Sequence, residues 1–549
     1  ARTFESKGFV DVADILVTDQ STLIDESLSG RKTVSIRGAN QDEVLVLYDG
    51  IRINNNFDNI FDLSLIDLSG LQQIDIIKGG NVAAFGSFGS SAVINFIPKS
   101  KQDYLVRFRQ RIGTYNSGDW SLNLYKDLFG IKIFSAMKEA ATTQQYVGNQ
   151  QGETDIVHGS SSKTLNISYG FGRRTAGTQK NILRANYLQS NRDYDNQNTL
   201  EELLTSHEIK SIKYVANLNK IGETNILVSD QTGSESHSRK AVYSDMARQI
   251  DDNTIQVSVE HVIRLDNINF FLAYQRENSD LDYQDKMVRE TSESSEQDTY
   301  AFRRVRNGYS SAVQFINPEI SYPFDFDNIQ FSLSHEQTKD RQSSYSDPGS
   351  FDIINSNWHE SSYMLSTSFV GFPENILLSA HFNYGSSFRI PTLYQQIIST
   401  LYQFNNDLGN KLLMEYKRNL EFGFTISSNQ TKASTCYEIL CAIFHNSYRN
   451  KFQTIQLSGS PLTFLDNRAD ASLLGFETAV STSFLQKLFI FNISFSRYLI
   501  SEKAAFPFKS DRKLTTSISF NYRGFNLELM WYSEAQRIGW VYVPSGGIQ

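Results

Sequence analysis

From about residue 102 onward, apolar and polar side chains alternate in segment after segment. Leu514, Thr516, Ile518, Phe520 and Tyr522 fall on one face of a run, and Thr515, Ser517, Ser519, Asn521 and Arg523 on the other. Phe525, Leu527, Leu529 and Trp531 oppose Asn526, Glu528, Met530 and Tyr532, while Phe489, Phe491, Ile493 and Phe495 oppose Ile490, Asn492, Ser494 and Ser496. Tyr363, Leu365, Thr367 and Phe369 make another such face. A period of two is that of a strand. One face apolar to its aromatic ends, the other bearing amides, hydroxyls and charges, fits a sheet with lipid outside and a polar interior. About nineteen such strands fit between residues 104 and 535.

The connections sort by length. Short turns at 126–130 (KDLFG), 265–267 (LDN) and 371–375 (GFPEN) alternate with long polar stretches near 141–162, 191–209, 234–252, 278–308, 339–360 and 387–414. A soluble sandwich gives no reason for that alternation. A membrane barrel does, because its turns are short on the periplasmic side and longer outside. A barrel this large has a lumen too wide for its own side chains to fill. The first hundred residues follow a different pattern. Phe9 to Leu16 space their apolar residues like one helix face, Val44–Tyr48 (VLVLY) reads as a strand buried on both sides, and Ile74–Ile77 (IDII) as another. These residues predict a small α/β globule, and a wide tube gives it a role as a plug. The predicted architecture is a large antiparallel membrane β-barrel, residues 101–549, with an N-terminal α/β plug domain, residues 1–100, in its lumen.

Composition narrows the function. Lys and Arg number 52 against 60 Asp and Glu, a net charge of −8, which excludes a nucleic-acid binder. No run approaches eighteen consecutive apolar residues, so no transmembrane helix is predicted, and the mean hydropathy of −0.37 agrees. The chain carries 27 Tyr, 38 Phe and 4 Trp but only 9 Pro, as many strands require. Cys436 and Cys441, the two cysteines, stand five apart in a strand-like run and so point to opposite faces, which argues against a mutual disulfide. No nucleophile–base constellation, zinc pattern or basic, apolar secretory leader is evident; a mature chain without enzymatic activity is expected.

Several blocks resemble the plug of TonB-dependent outer-membrane receptors. They are Val34–Asn40 (VSIRGAN), Val44–Asn54 (VLVLYDGIRIN), Ile74–Gly80 (IDIIKGG), Ala84–Ser87 (AFGS) and Val93–Phe96 (VINF). In the barrel, Ser387–Tyr394 (SFRIPTLY), Leu413–Glu415 with Asn419–Gly423 (NLEFG), and Gly475–Glu477 (GFE) resemble later blocks of the same family in the same order. The resemblance implies an integral protein of the bacterial outer membrane. It also implies active import powered by the TonB C-terminal domain on the periplasmic side, and a charge cluster of two plug cations and two barrel glutamates. On this chain the cluster maps to Arg37, Lys78, Glu421 and Glu477. Lys78 stands where the family usually has Arg, losing the rigid bidentate fork. The family's coupling box is not visible ahead of Ala1, its first plug strand is missing, and nineteen strands fall about three short of its twenty-two. The C-terminal strands are therefore expected to be incomplete.

The barrel region is compact, without the long outer insertions of protein-binding relatives or of an adhesin. That suits a small metal chelate, a ferric siderophore or a cobalamin-like corrinoid. Asn54, Asn55, Asn56 and Phe57 are expected at a plug apex facing ligand, with plain turn chemistry as the competing reading. Loop aromatics and cations, including Tyr194, Tyr283, Arg303, Arg304, Arg306, Trp358 and Tyr394, are candidates to contact an anionic chelate. Acidic pairs at Asp193/Asp195 and Asp280/Asp282, with Asp285 nearby, are candidate outer-loop Ca²⁺ ligands; no other cofactor is expected. The alternative is a structural or secretion-associated plugged barrel without transport.

Overall fold

The alternating segments form nineteen long antiparallel strands, β7 (Val106–Ile112) to β25 (Phe525–Glu534), each bonded to its sequence neighbours. In this computed structural model the described residues are 9–548 apart from 10, 80–90, 115, 149–151, 173–180, 219–220, 242–243, 290–295, 318–324, 346–353, 372–375, 402–411, 429–434, 458–462, 486, 524, 538–540 and 544–546. Two short strands, β26 (Val541–Val543) and β27 (Gly547–Ile548), lie between β25 and β7 in the strand order of the closed barrel. β25 itself is exposed at nearly every position.

Alternation sets the two faces. On β16 (Glu296–Ile316) Tyr309 and Phe315 are exposed on the outer face, while Phe302, Arg304, Arg306 and Ala312 are buried in the lumen. Aromatic pairs mark the outer face: Tyr274 with Tyr309 at 5.2 Å, and Phe326 with Phe369 at 4.5 Å nearer the short-turn end of the staves. The polar stretches read as long loops are mostly strand. β14 (Ser244–Leu265) and β15 (Ile268–Arg289) each run 22 residues. That is roughly 70 Å of chain, more than a tilted strand needs to cross about 25–30 Å of hydrocarbon. Beyond the membrane both faces meet water, so the alternation that identifies a strand fades although the hydrogen-bond ladder continues.

Inside sits the plug. Asp11 caps α1 (Val12–Leu16), accepting from the backbone N–H groups of Ala13 and Asp14. β1 (Thr22–Glu26) and β2 (Lys32–Ile36) form a hairpin. A separate four-stranded sheet runs in the order β4 (Ile51–Arg52), β3 (Val44–Tyr48), β6 (Ala92–Pro98), β5 (Leu71–Lys78). β3 is parallel to β6 and buried at every position, as its unbroken apolar run requires. The plug core of Val12, Leu16, Ile36, Val46, Ile94 and Phe96 extends into the barrel wall, taking in Leu188, Ile209 and Leu227 from β11 (Asn181–Asn196), β12 (Glu201–Asn217) and β13 (Glu223–Ala241). The Ala84–Ser87 block lies outside the described residues, as do 372–375 of one short turn. Cys436 and Cys441 are not joined in a disulfide.

Candidate functional site

The chemistry concentrates where plug meets wall. β2 ends in a tight turn in which Arg37 (φ 52°) and Gly38 (φ 74°) both adopt left-handed backbone. A non-glycine residue pays strain there unless its side chain is held, and Arg37 is held. Its Nε donates to both carboxylate oxygens of Glu477, at 3.1 and 3.2 Å, and Nη2 donates to Glu477 Oε2 at 2.9 Å. The same Nη2 is 2.9 Å from Glu421 Oε1, and the guanidinium lies 4.3 Å from the Phe444 ring centroid. All three charged groups are buried. Burial alone would disfavour the cation, but Glu477 and Glu421 raise the Arg37 pKa above its ordinary value. Tyr498 also donates to Glu477, and His381 Nε2 lies 3.5 Å from Glu421.

Lys78 is not part of this cluster. Its ammonium lies 2.8 and 2.7 Å from the two oxygens of Asp19, inside the plug. A point charge on a flexible stem takes the nearest carboxylate, and the turn after α1 supplies one. The plug therefore presents one cation to both glutamates where the sequence reading expected two. Gly79 explains how the wall comes so close: a Cβ there would stand 2.1 Å from Glu421 Oε2.

The 54–57 tip is docked and hydrogen-bonded, so turn chemistry accounts for its asparagines. Asn54 bonds the backbone of Val46, Val44 and Asn59, and Asn55 bonds that of Asp58 and Ile60. The backbone N–H of Asn56 donates to Asp252 at 2.8 Å, and its amide to Thr254. Phe57 is 2 % exposed, too buried to meet a ligand directly, with ring centroids 4.7 Å from Tyr283 and 5.0 Å from Tyr394. Beside the tip is a cavity of about 80 Å³ lined by Arg31, Asn55, Asn56, His207, Gln231 and Asp252 among others.

The arginine run divides by face. Arg303 points outward, 59 % exposed and paired with Asp280, so it does not reach the lumen. Arg304 is buried, forking onto Asp340 at 2.5 and 2.7 Å and reaching the carbonyl of Pro391. Arg306 bonds Glu277, which also receives Arg52 of the plug at 2.8 Å. These two arginines bind protein carboxylates. Trp358 and Tyr394 are half-buried, and Trp358 Nε1 has no hydrogen-bond partner among the described residues. Tyr194 is buried, with its hydroxyl accepting from Asn196. Arg52 and Glu277 were missed as site residues, although Arg52 stands in the GIRIN block.

The expected calcium ligands do not assemble. Asp193 and Asp195 are exposed positions alternating with buried ones on β11. Asp280 and Asp282 repeat that arrangement on β15, both exposed and flanking the buried Leu281. Asp280 is taken by Arg303, and Asp282 stands opposite Ala301 of β16, which offers no side-chain oxygen. Among the described residues no three acidic, histidine or cysteine groups gather as metal ligands. Neither Asp193 with Asp195 nor Asp280 with Asp282 therefore forms a calcium site there. Same-face residues on a strand stand roughly 7 Å apart, too far for one ion without a third element.

This geometry is that of a plugged receptor barrel. Residues 1–93 match the family described as TonB-dependent Receptor Plug Domain. Among solved structures, the copper transporter OprC superposes with a TM-score of 0.75 at 11% identity, covering 96% of this chain and 83% of that one. The ferric yersiniabactin uptake receptor FyuA from Yersinia pestis gives 0.70 at 12%, covering 96% and 84%. The ferric citrate transporter FecA in the unliganded form gives 0.69 at 12%, covering 97% and 82%. The chain thus has the fold of a TonB-dependent receptor with that family's plug domain at its N-terminus. At these identities the likeness is one of fold, a large barrel enclosing an N-terminal plug.

Proposed function

We propose that this chain imports a scarce small metal chelate, a ferric siderophore or a cobalamin-like corrinoid, when the TonB C-terminal domain pulls on the plug. The observation that carries this reading is the Arg37–Glu421–Glu477 cluster. Three buried charges fix the plug to the wall without a covalent bond, and each loses much of its stabilisation once the others move away. That behaviour suits a closure that must hold at rest and yield to a pull. The outer membrane has no ATP or ion gradient, so the work arrives through a partner. The half-buried Trp358 and Tyr394, with the small cavity beside the 54–57 tip, supply aromatic and polar surface for a compact ligand. The similar copper and ferric-chelate transporters point to the same class. The test is uptake of ⁵⁵Fe chelates and of cyanocobalamin by cells with and without TonB, together with mass spectrometry of ligand co-purified from metal-starved cells. TonB-dependent accumulation of one probe supports import. Accumulation of none, with no co-purified chelate, supports a structural barrel instead.

A further inference from the structure

A second buried ion cluster joins plug to barrel, six residues further out along the strand that carries Glu421. The 3-10 turn Gln41–Glu43 of the plug presents Asp42 and Glu43 to the wall. Arg389, at the end of β19 (Ile376–Arg389), places Nη1 2.7 Å from Asp42 Oδ2 and Nη2 2.8 Å from Glu415 Oε2. Glu415 opens β20 (Glu415–Ser428), the strand of Glu421. Lys451, on β21 (Thr435–Leu457) and wholly buried, lies 2.8 Å from Glu43 and 3.6 Å from Glu415. Its ammonium sits 4.1 Å from the Tyr448 ring and 4.8 Å from the Phe506 ring, while Arg389 lies 4.5 Å from the Phe452 ring. Glu43 also accepts from Ser91 and from the backbone N–H of Asn40, so the turn is tied to the segment leading into β6 as well.

One further contact distinguishes this cluster from a static strut. Gln395, in the first turn of α2 (Leu393–Leu401), donates to Asp42 at 3.1 Å, and Gln396 bonds Asp340, the partner of Arg304. Tyr394 between Leu393 and Gln395 packs on Phe57. A single short helix on the outer side thus touches the plug at its tip and at its acidic turn, and shares a carboxylate with the wall.

We propose that Asp42, Glu43, Arg389, Glu415 and Lys451 form an outer clasp, distinct from the Arg37 latch, whose grip on the plug is set by the position of α2. The clasp makes Arg389, Lys451 and Gln395 positioning residues for uptake: they act through the plug and not on the ligand. It rests on the import reading, since α2 packs on the plug tip through Tyr394 and Phe57. A displacement of α2 removes one donor from Asp42 and disturbs the arginine shared with Glu415. A buried carboxylate that loses a partner is poorly tolerated, so the grip weakens steeply.

The test pulls the plug from an N-terminal handle with the whole protein held in a nanodisc. Arg37 and Asp42 are five residues apart, about 17 Å of extended chain, so their release events are separable. Wild type is expected to give two force peaks. Glu43→Gln at least halves the outer peak and leaves the inner one unchanged, Arg37→Gln does the reverse, and Gln395→Ala lowers the outer peak alone. Asp42→Glu, which keeps the charge, retains at least half of it. Equal loss of both peaks in Glu43→Gln, or no change in either, overturns the clasp. An unchanged outer peak in Gln395→Ala overturns control by α2. No ligand is needed, so a normal two-peak trace in a chain that imports nothing removes the import reading and leaves the clasp standing.

Discussion

Replacing Arg37 by Met removes the cation that compensates two buried carboxylates while keeping much of the side chain's bulk. Glu477 and Glu421 are 1 % and 4 % exposed, and Arg37 gives them four contacts at or below 3.2 Å. Removing one partner of a buried pair costs about 3–5 kcal/mol. The upper half of that range applies, because the two glutamates then face each other across a space that Tyr498 and His381 only partly neutralise. The barrel ladder does not depend on Arg37, so the loss should appear as local opening of the plug. At about 1.4 kcal/mol per tenfold, amide exchange in the peptide spanning β2 and β3 should accelerate roughly seven-hundred- to several-thousand-fold. Hydrogen-exchange mass spectrometry reads this directly, with β16 peptides as an internal control. Glu477→Gln in the Arg37→Met background should recover part of the protection, since it removes one orphaned charge. Exchange within threefold of wild type, or equal acceleration in β16, would refute the assignment of Arg37 as the holding contact.

Gly79→Ala should mimic half of that loss, because its φ of 69° is costly for alanine and the new methyl displaces Glu421 from Arg37; exchange at β2 should rise with β16 unchanged. Lys78→Met should cost only about 1 kcal/mol, since its pair with Asp19 is partly exposed, and should leave the protection of Arg37's turn intact. Burial alone would raise the Asp19 pKa, but Lys78 and Ser21 hold it below the ordinary 3.8. The folded value is depressed, so this contribution is present above pH 3.8 and fades as pH falls below it. Urea release of the plug should therefore ease as pH falls below about 4, and Asp19→Asn should shrink that difference. Phe57→Ala removes a buried ring from between Tyr283 and Tyr394 and should cost about 3–5 kcal/mol. It should appear as faster exchange over residues 53–61, and an unchanged rate there would mean the tip is held by its asparagines alone.

The barrel was legible because lipid and lumen impose opposite chemistry on successive residues, and Phe525, Leu527, Leu529 and Trp531 record it without ambiguity. The outer halves of the strands were not, since Arg303 and Arg304 both look like loop cations until the ladder assigns one to each face. Asp280 and Asp282 misled in the same way: two acids one residue apart suggest a loop that could wrap an ion, and a strand holds them apart. Arg37, Glu421 and Glu477 could be located because each sits in a recognisable block. Lys78 misled because its block fixes the backbone, while its partner, Asp19, depends on a turn 59 residues away. Lys451 and Glu43 carry no local sign of importance. Their pairing is made by tertiary packing across 408 positions, which no periodicity records.

The mixed core of the plug bears on how the molecule is assembled. Leu188, Ile209 and Leu227 belong to the same apolar cluster as Val12 and Phe96, yet they arrive on three different barrel strands. A segment of about a hundred residues has little surplus stability, and this one completes its interior only against a finished wall. The N-terminal segment, made first, is thus expected to fold last. It would wait, largely unstructured, for the cylinder that will enclose it.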